Sequence, residues 1–354
     1  MPAPKSFKID TSTPVMVTGA TGYVAGELIK QLLEAGVTVH AAVRDPAKEV
    51  KVAHLKTMAG AEDRLKFFKA DLLDQGSYAD AMAGCSHIFH TASPFTTTIK
   101  DPQRDMVDPA LKGTENVLAS AAETPSVKRI VLTSSCVAIY GDTSDIANYP
   151  NGVMTEAQWN ETSTLTHQTY SYSKTVAERR AWDMAADASY DLVVVNPGFV
   201  IGAGTMENPT SESFSLITQL IDGTMRMGAP DFDIGCVDVR DVALAHIRAA
   251  YTPEAQGRHI TVSERKTFLA MAADIRAAYP DLKTPKSTLP KWLVKLIGPL
   301  INAVMTRRVV EGNVGHPWKF DNSKAKAELG MEFRPVAPAF VSMAEQIQQM
   351  QAKK

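Results

Sequence analysis

Tyr170 and Lys174 stand four residues apart in Tyr170-Ser171-Tyr172-Ser173-Lys174. On a helix that spacing puts both on one face. The pair suits one step: giving a proton to the alkoxide left when a hydride reaches a carbonyl carbon. A tyrosine does this near neutrality if its pKa falls from about 10. An ammonium one turn away stabilises the phenolate and pulls the value down. Tyr172 would need its partner at position 176, which is Val176. Ser135 ends the run Arg129-Ile130-Val131-Leu132-Thr133-Ser134-Ser135, an apolar strand with hydroxyls at its carboxyl edge. From there it can hydrogen-bond a carbonyl oxygen and polarise it. The Tyr-x-x-x-Lys spacing is common, so its weight comes from the elements around it.

The first of these is Val15-Met16-Val17-Thr18-Gly19-Ala20-Thr21-Gly22-Tyr23-Val24-Ala25-Gly26. It reads as a strand, a glycine turn and a helix start, with Leu28, Ile29, Leu32 and Leu33 at helical spacing and Gly36 closing the helix. Gly19 permits the turn, and Gly22 lets a pyrophosphate approach the backbone. The free N–H groups of the helix start then face its charge. Ala25 takes the third small position. A second strand, Thr38 to Val43, ends at Arg44. Arginine there favours the 2′-phosphate of NADP, where an acid would bind the 2′-hydroxyl of NAD. Lys48 adds a second cation, whereas Asp45 offers a rival contact to the ribose. Asp71, beside Leu72 after the strand Leu65 to Lys69, can accept from an adenine amino group or cap a helix. Thr91, Ala92 and Ser93 follow the strand His87 to His90 and leave room for a cofactor.

Helices over 49–58, 108–123 and 170–186 alternate with these strands and with one over 192–196. The near-continuous apolar strands point to an α/β fold, a Rossmann-type doubly wound parallel sheet. Beyond Pro197 the pattern loosens. Helices are expected over 214–223, 241–251 and 266–279, with another from Asp321-Asn322-Ser323-Lys324 to Gly330. Strands are expected over 236–239 and 258–262. Residues 1–200, with 235–262 returning to them, form the expected NADP-binding domain. Residues 201–234 and 263–354 form a smaller, interleaved C-terminal substrate lobe. Segment 136–169 reads as a lid over the pocket, to which Phe95 and Val200 also contribute.

Composition narrows the function. The 354 residues carry a net charge of −2 with no basic block, which excludes a nucleic-acid surface. Cys85, Cys136 and Cys236 form no C-x-x-C pair and suit a reducing compartment without disulfide or zinc. The N-terminus has no signal-peptide pattern, so a cytoplasmic protein is expected. Pro290, Lys291, Lys295 and Pro299 interrupt Leu289 to Met305, which reads as an amphipathic helix pair; no membrane partner and no metal is expected. His87 and His90 read as strand histidines. A monomer or homodimer is expected.

Thr18-Gly19-x-x-Gly22-x-x-Ala25, Tyr170-x-x-x-Lys174, Asn196-Pro197 and Asp321-Asn322-Ser323-Lys324 together resemble an extended short-chain dehydrogenase/reductase. Val43-Arg44-Asp45-Pro46, His90-Thr91-Ala92-Ser93-Pro94-Phe95 and Val237-Asp238-Val239-Arg240-Asp241 narrow the resemblance. They point to the branch of dihydroflavonol reductases, cinnamoyl-CoA reductases and yeast-type aldehyde and methylglyoxal reductases. The resemblance implies NADPH-dependent reduction of a small-molecule carbonyl substrate by Ser135, Tyr170 and Lys174, with Ser135 chosen over Ser134. It implies cofactor contacts from Gly19, Thr21, Gly22, Tyr23 and Val24, from Arg44, Lys48, Asp71 and Leu72, and from Thr91, Ala92 and Ser93. Tyr170, Lys174, Pro197, Gly198 and Val200 complete that set. Ala110 stands where many relatives have a proton-relaying asparagine, so no such relay is expected. Asn116 reads as structural, and Asp238 and Arg240 as anchors. The alternatives are an NAD-dependent nucleotide-sugar epimerase or dehydratase, which favours an acid at the position of Arg44, and a non-catalytic NADPH-binding redox sensor.

Overall fold

The computed structural model describes residues 7–93, 100–209, 211–301 and 304–353. Six strands run β1 (Val15–Thr18), β2 (Val39–Val43), β3 (Leu65–Lys69), β4 (His87–His90), β5 (Arg129–Thr133) and β6 (Asp191–Pro197). With the Gly257–Thr261 strand they make one parallel sheet, in the order Gly257–Thr261, β6, β5, β4, β1, β2, β3. Strand order reverses between β1 and β4, and ligands of such sheets bind at that crevice.

The sheet is buried on both faces because its strands are apolar on both. Val15 and Val17 face the Tyr23–Glu34 helix (α1) and the Val239–Tyr251 helix, packing with Leu28, Leu32 and Ala243. Met16, one residue out of phase, packs with Ile88, Val117 and Ala181 on the other face. That face carries the Asp108–Ala122 and Thr169–Ala185 helices. The fold is therefore the doubly wound Rossmann type.

A second layer covers one end of the sheet. Glu264–Thr267, Asp233–Asp238 and Phe199–Ile201 form a three-stranded sheet. Phe214, Ile217, Met271, Phe340 and Met343 pack a core on it from the helices Glu212–Ile221, Phe268–Ala278 and Ala337–Ala352. The last helix has no counterpart among the expectations above, although Phe340, Met343, Ala344 and Ile347 carry its spacing.

Two expectations need correction. Residues 264–267 are a strand, and the helix expected from Lys266 starts at Phe268, where the Thr267 hydroxyl accepts from Ala270 N at 3.2 Å. Segment 136–169 is not a free lid. Ile139, Ile146 and Met154 are buried with Ile260, Val262 and Trp318, and short 3-10 turns at 136–138, 143–148 and 150–152 hold it. Phe95 lies outside the described residues.

Candidate active site

The glycine loop is set by its neighbours. Gly19 has φ +59°, and a Cβ there would fall 2.9 Å from the Ala92 Cα. At Gly22 a Cβ would meet the Gly19 carbonyl at 3.0 Å. Thr18 ties this turn to the end of β4: its hydroxyl is 2.9 Å from His90 Nδ1 and accepts from Ala92 N at 3.0 Å. Thr91 Oγ1 donates to the Thr18 carbonyl at 2.6 Å. The first bond of α1 is Gly26 N to Gly22 O, so the N–H groups of Tyr23 and Val24 precede the helical ladder. Bare backbone at Gly19 and Gly22 and open helix N–H groups fit a dinucleotide pyrophosphate. The Tyr23 side chain turns elsewhere, donating to the Gly202 carbonyl at 2.6 Å and meeting Phe214 edge-on.

Arg44, exposed at the end of β2, lines a cleft of about 380 Å³ with Lys69, Asp71, Ser77 and Asp80. Asp45 accepts from Ala47 N within its own loop at 3.0 Å. Lys48 precedes the Glu49–Lys56 helix, exposed. Asp71 caps a turn through Leu73 N at 2.9 Å. Asn116 holds that turn by donating to the carbonyls of Leu72 and Asp74, a structural role as expected from sequence. Leu72, Ala92, Ser93, Ala110 and Lys174 line one narrow cleft between this region and the Tyr170 helix.

Tyr170 and Lys174 share a face of the Thr169–Ala185 helix, with Lys174 Nζ 5.9 Å from the Tyr170 ring centre. Burial brings the Lys174 ammonium down to about 8, against the opposing pull of Glu178 and Glu212. The expected lowering of the Tyr170 phenol is not found. Desolvation and then the Glu212 carboxylate hold it above its ordinary value. With 37 % of the residue still exposed, water tempers that rise. A phenol held up stays protonated but is a weaker acid, so the free protein does not show the lowering that proton donation calls for.

The two serines after β5 separate cleanly. Ser134 is buried and its hydroxyl donates to Glu178 Oε2. Ser135 is half-buried, accepts from Val137 N at 3.3 Å and reaches the Pro197 carbonyl only at 3.5 Å. Ser135 is the more loosely held of the two. Gly198 lies against the Gly235 carbonyl, 2.3 Å from where a Cβ would sit, and Val200 pairs with Val237 in the second sheet.

Sequence reasoning missed the support beneath these groups. Glu178, one turn past Lys174, is 1 % exposed and meets Arg258 Nε at 2.6 Å, Asn196 Nδ2 at 3.0 Å and Ser134. Its place at i+4 from Lys174 was the available signal. At the helix start Asp142 is buried: Oδ2 lies 2.7 Å from His167 Nε2, and Oδ1 accepts from Gln168 and Asn313 at 3.2 and 2.7 Å. Gln168 is in the left-handed region, φ +55°. Asp238 caps the Val239–Tyr251 helix and pairs with Arg240, the anchor role expected. No metal-binding cluster occurs among the described residues.

The family model described as the NAD dependent epimerase/dehydratase family matches residues 15–263. A cinnamoyl-CoA reductase of Medicago truncatula is 37% identical over 342 residues, 96% of either chain. A putative anthocyanidin reductase of Ginkgo biloba is 39% identical over 286 residues, 77% of this chain and 82% of its own. Yeast methylglyoxal/isovaleraldehyde reductase, solved as an NADPH complex, superposes with a TM-score of 0.76 at 25% identity, covering 96% of this chain and 100% of its own. The glycine loop, the Tyr170–Lys174 pair and these relatives agree: the chain belongs to the NAD-dependent epimerase/dehydratase family, as an extended short-chain dehydrogenase/reductase and an NAD(P)-dependent oxidoreductase of the cinnamoyl-CoA and anthocyanidin reductase branch.

Proposed function

We propose that this protein uses NADPH to reduce an aldehyde or ketone to an alcohol. The observation that carries the reading is the Tyr170–Lys174 pair on one helix face, with Lys174 lining the cleft and Ser135 held only by long bonds while Ser134 is tied to Glu178. Bound NADPH supplies the hydride. Ser135 donates to the carbonyl oxygen and polarises it. Tyr170 holds a proton at its Oη and passes it to the same oxygen as charge builds there. Lys174 stabilises the phenolate that remains and, on the cleft side, holds the ribose. Arg44 and Lys48 take the 2′-phosphate, with Asp45 engaged in its turn. Gly19, Thr21, Gly22, Tyr23 and Val24 cradle the pyrophosphate, and Asp71, Leu72, Thr91, Ala92, Ser93, Pro197, Gly198 and Val200 wall the remainder.

In this reading residues 1–200, with 235–262, are the cofactor domain, and 201–234 with 263–354 close over the substrate. The carbonyl class follows the relatives, which are named for thioester, flavonoid and small-aldehyde reduction. Loss of NADPH absorbance against aldehydes, diketones and a cinnamoyl thioester tests it, with Tyr170→Phe as control. Turnover abolished in the control is the expected result. Turnover that survives in Tyr170→Phe, or a preference for NADH, would count against it.

A further inference from the structure

Residues 282–310 contain six cations, Lys283, Lys286, Lys291, Lys295, Arg307 and Arg308, and no acid. Removing these six from the chain's 37 cations leaves 31 against 39 acids elsewhere. A mildly acidic chain therefore gathers positive charge in one stretch. All six except the half-buried Lys291 are exposed.

The Lys291–Ile301 helix at its centre has two stripes. Val294 and Gly298, four apart, are buried, and Val294 packs with Val310 and Val314. Trp292, Leu296 and Leu300, also four apart, are 68%, 57% and 85% exposed. Side chains at that spacing stand in one row, turned away from the packed face. Lys291 and Lys295 each precede a member of the row and so flank it. Their ammonium groups reach the Glu311 carbonyl at 2.8 Å and its carboxylate at 2.7 Å, which accounts for the acid that closes the stretch. A helix packed on one side and bathed in water on the other carries polar residues outside; this one carries tryptophan and leucine.

We propose that this helix docks the protein on an anionic lipid surface. It lies in the interface plane, with Trp292, Leu296 and Leu300 entering the headgroup–acyl boundary and Lys283, Lys286, Arg307 and Arg308 meeting the lipid charge, while Lys291 and Lys295 stay engaged with Glu311. The charge decides between occupants. A second copy meeting through the same face would set Lys283, Lys286, Arg307 and Arg308 against the same four cations. An apolar groove on another protein would use the row and leave the cations without a role. No helix among the described residues is long and apolar enough to cross a membrane, and lying on the surface needs no span.

Co-sedimentation of the full chain with vesicles tests this, using phosphatidylcholine alone and a three-to-one mixture with phosphatidylglycerol, at low and high salt. The expected result is binding to the mixed vesicles only, released by salt. Arg307→Gln and Arg308→Gln should each weaken it about fivefold. A Leu296→Glu/Leu300→Glu double variant should lose it while keeping the parent's melting curve, since both residues lie outside the core. No binding to the mixed vesicles, equal binding to neutral ones, or a double variant that binds like the parent would overturn the proposal. Light scattering that shows a parent dimer split by the double variant, without vesicle binding, would assign the face to a second copy instead.

Discussion

Arg258 Nε lies 2.6 Å from Glu178 Oε1, with the two side chains only 6% and 0% exposed. The pair joins the helix that carries Tyr170 and Lys174 to the edge strand of the sheet. Arg258 also donates to the Gln158 carbonyl and stacks 4.0 Å over Trp159, so segment 136–169 is fastened to the same point. Glu178→Gln keeps the shape but leaves a buried guanidinium without its charge partner. The expected loss is about 3–5 kcal/mol in urea unfolding. Adding Arg258→Met should restore part of it, and a double variant no more stable than Glu178→Gln would contradict this account.

The two adjacent serines should part company on mutation. Ser135→Ala removes a donor to the developing oxyanion and should lower kcat by roughly 10²-fold. Ser134→Ala removes a bond to Glu178 inside the protein and should cost about 1–3 kcal/mol of stability, with kcat nearly unchanged. Steady-state rates and melting temperatures of both variants decide it; the reverse pattern would reassign the acting hydroxyl.

Arg44→Ala should weaken NADPH binding by roughly 10- to 100-fold, the loss of one charge-assisted contact, and leave NADH binding unaltered. Fluorescence titration of both nucleotides reads the ratio directly. Equal losses for the two would mean that Arg44 acts on something common to them, not on the 2′-phosphate.

Acid should destabilise the fold through buried neutral histidines. Burial holds His90 at about 3 and His246 at about 4, below the ordinary 6.5. Between those values the unfolded chain takes up a proton that the folded chain refuses, so stability drops as pH falls from 6.5 toward 4. For His246, which is 0 % exposed, the cost at pH 5 is on the order of 2 kcal/mol. Thermal midpoints at pH 7 and pH 5 measure it, and His246→Gln should shrink the difference. An unchanged difference would clear His246 of any part.

The proposed cofactor side of the site could be read from sequence because its features are local: Gly19 and Gly22 in one turn, Arg44 at one strand end, Tyr170 and Lys174 on one helical turn. What stayed hidden depends on partners far along the chain. Glu178 looks like any helix carboxylate until Arg258 arrives from another strand. Residues 264–267 are polar and show no apolar alternation; they are a strand because Asp233–Asp238 pairs with them. Segment 136–169 has no period because side-chain bonds hold it, such as Thr162 Oγ1 to Asp145 at 2.6 Å, in place of a helical or strand ladder.

The Asp142 carboxylate joins His167 and Gln168, at the start of the Tyr170 helix, to Asn313, which lies 171 positions from Asp142. Translation runs from the N-terminus, so Ser135, Tyr170 and Lys174 are all synthesised long before Asn313 leaves the ribosome. The nucleotide-binding sheet can form on the emerging chain from contacts already made, but the fastening of the Tyr170 helix cannot. A nascent chain halted before position 313 holds the three proposed reacting groups and lacks the Asn313 contact that completes the clamp.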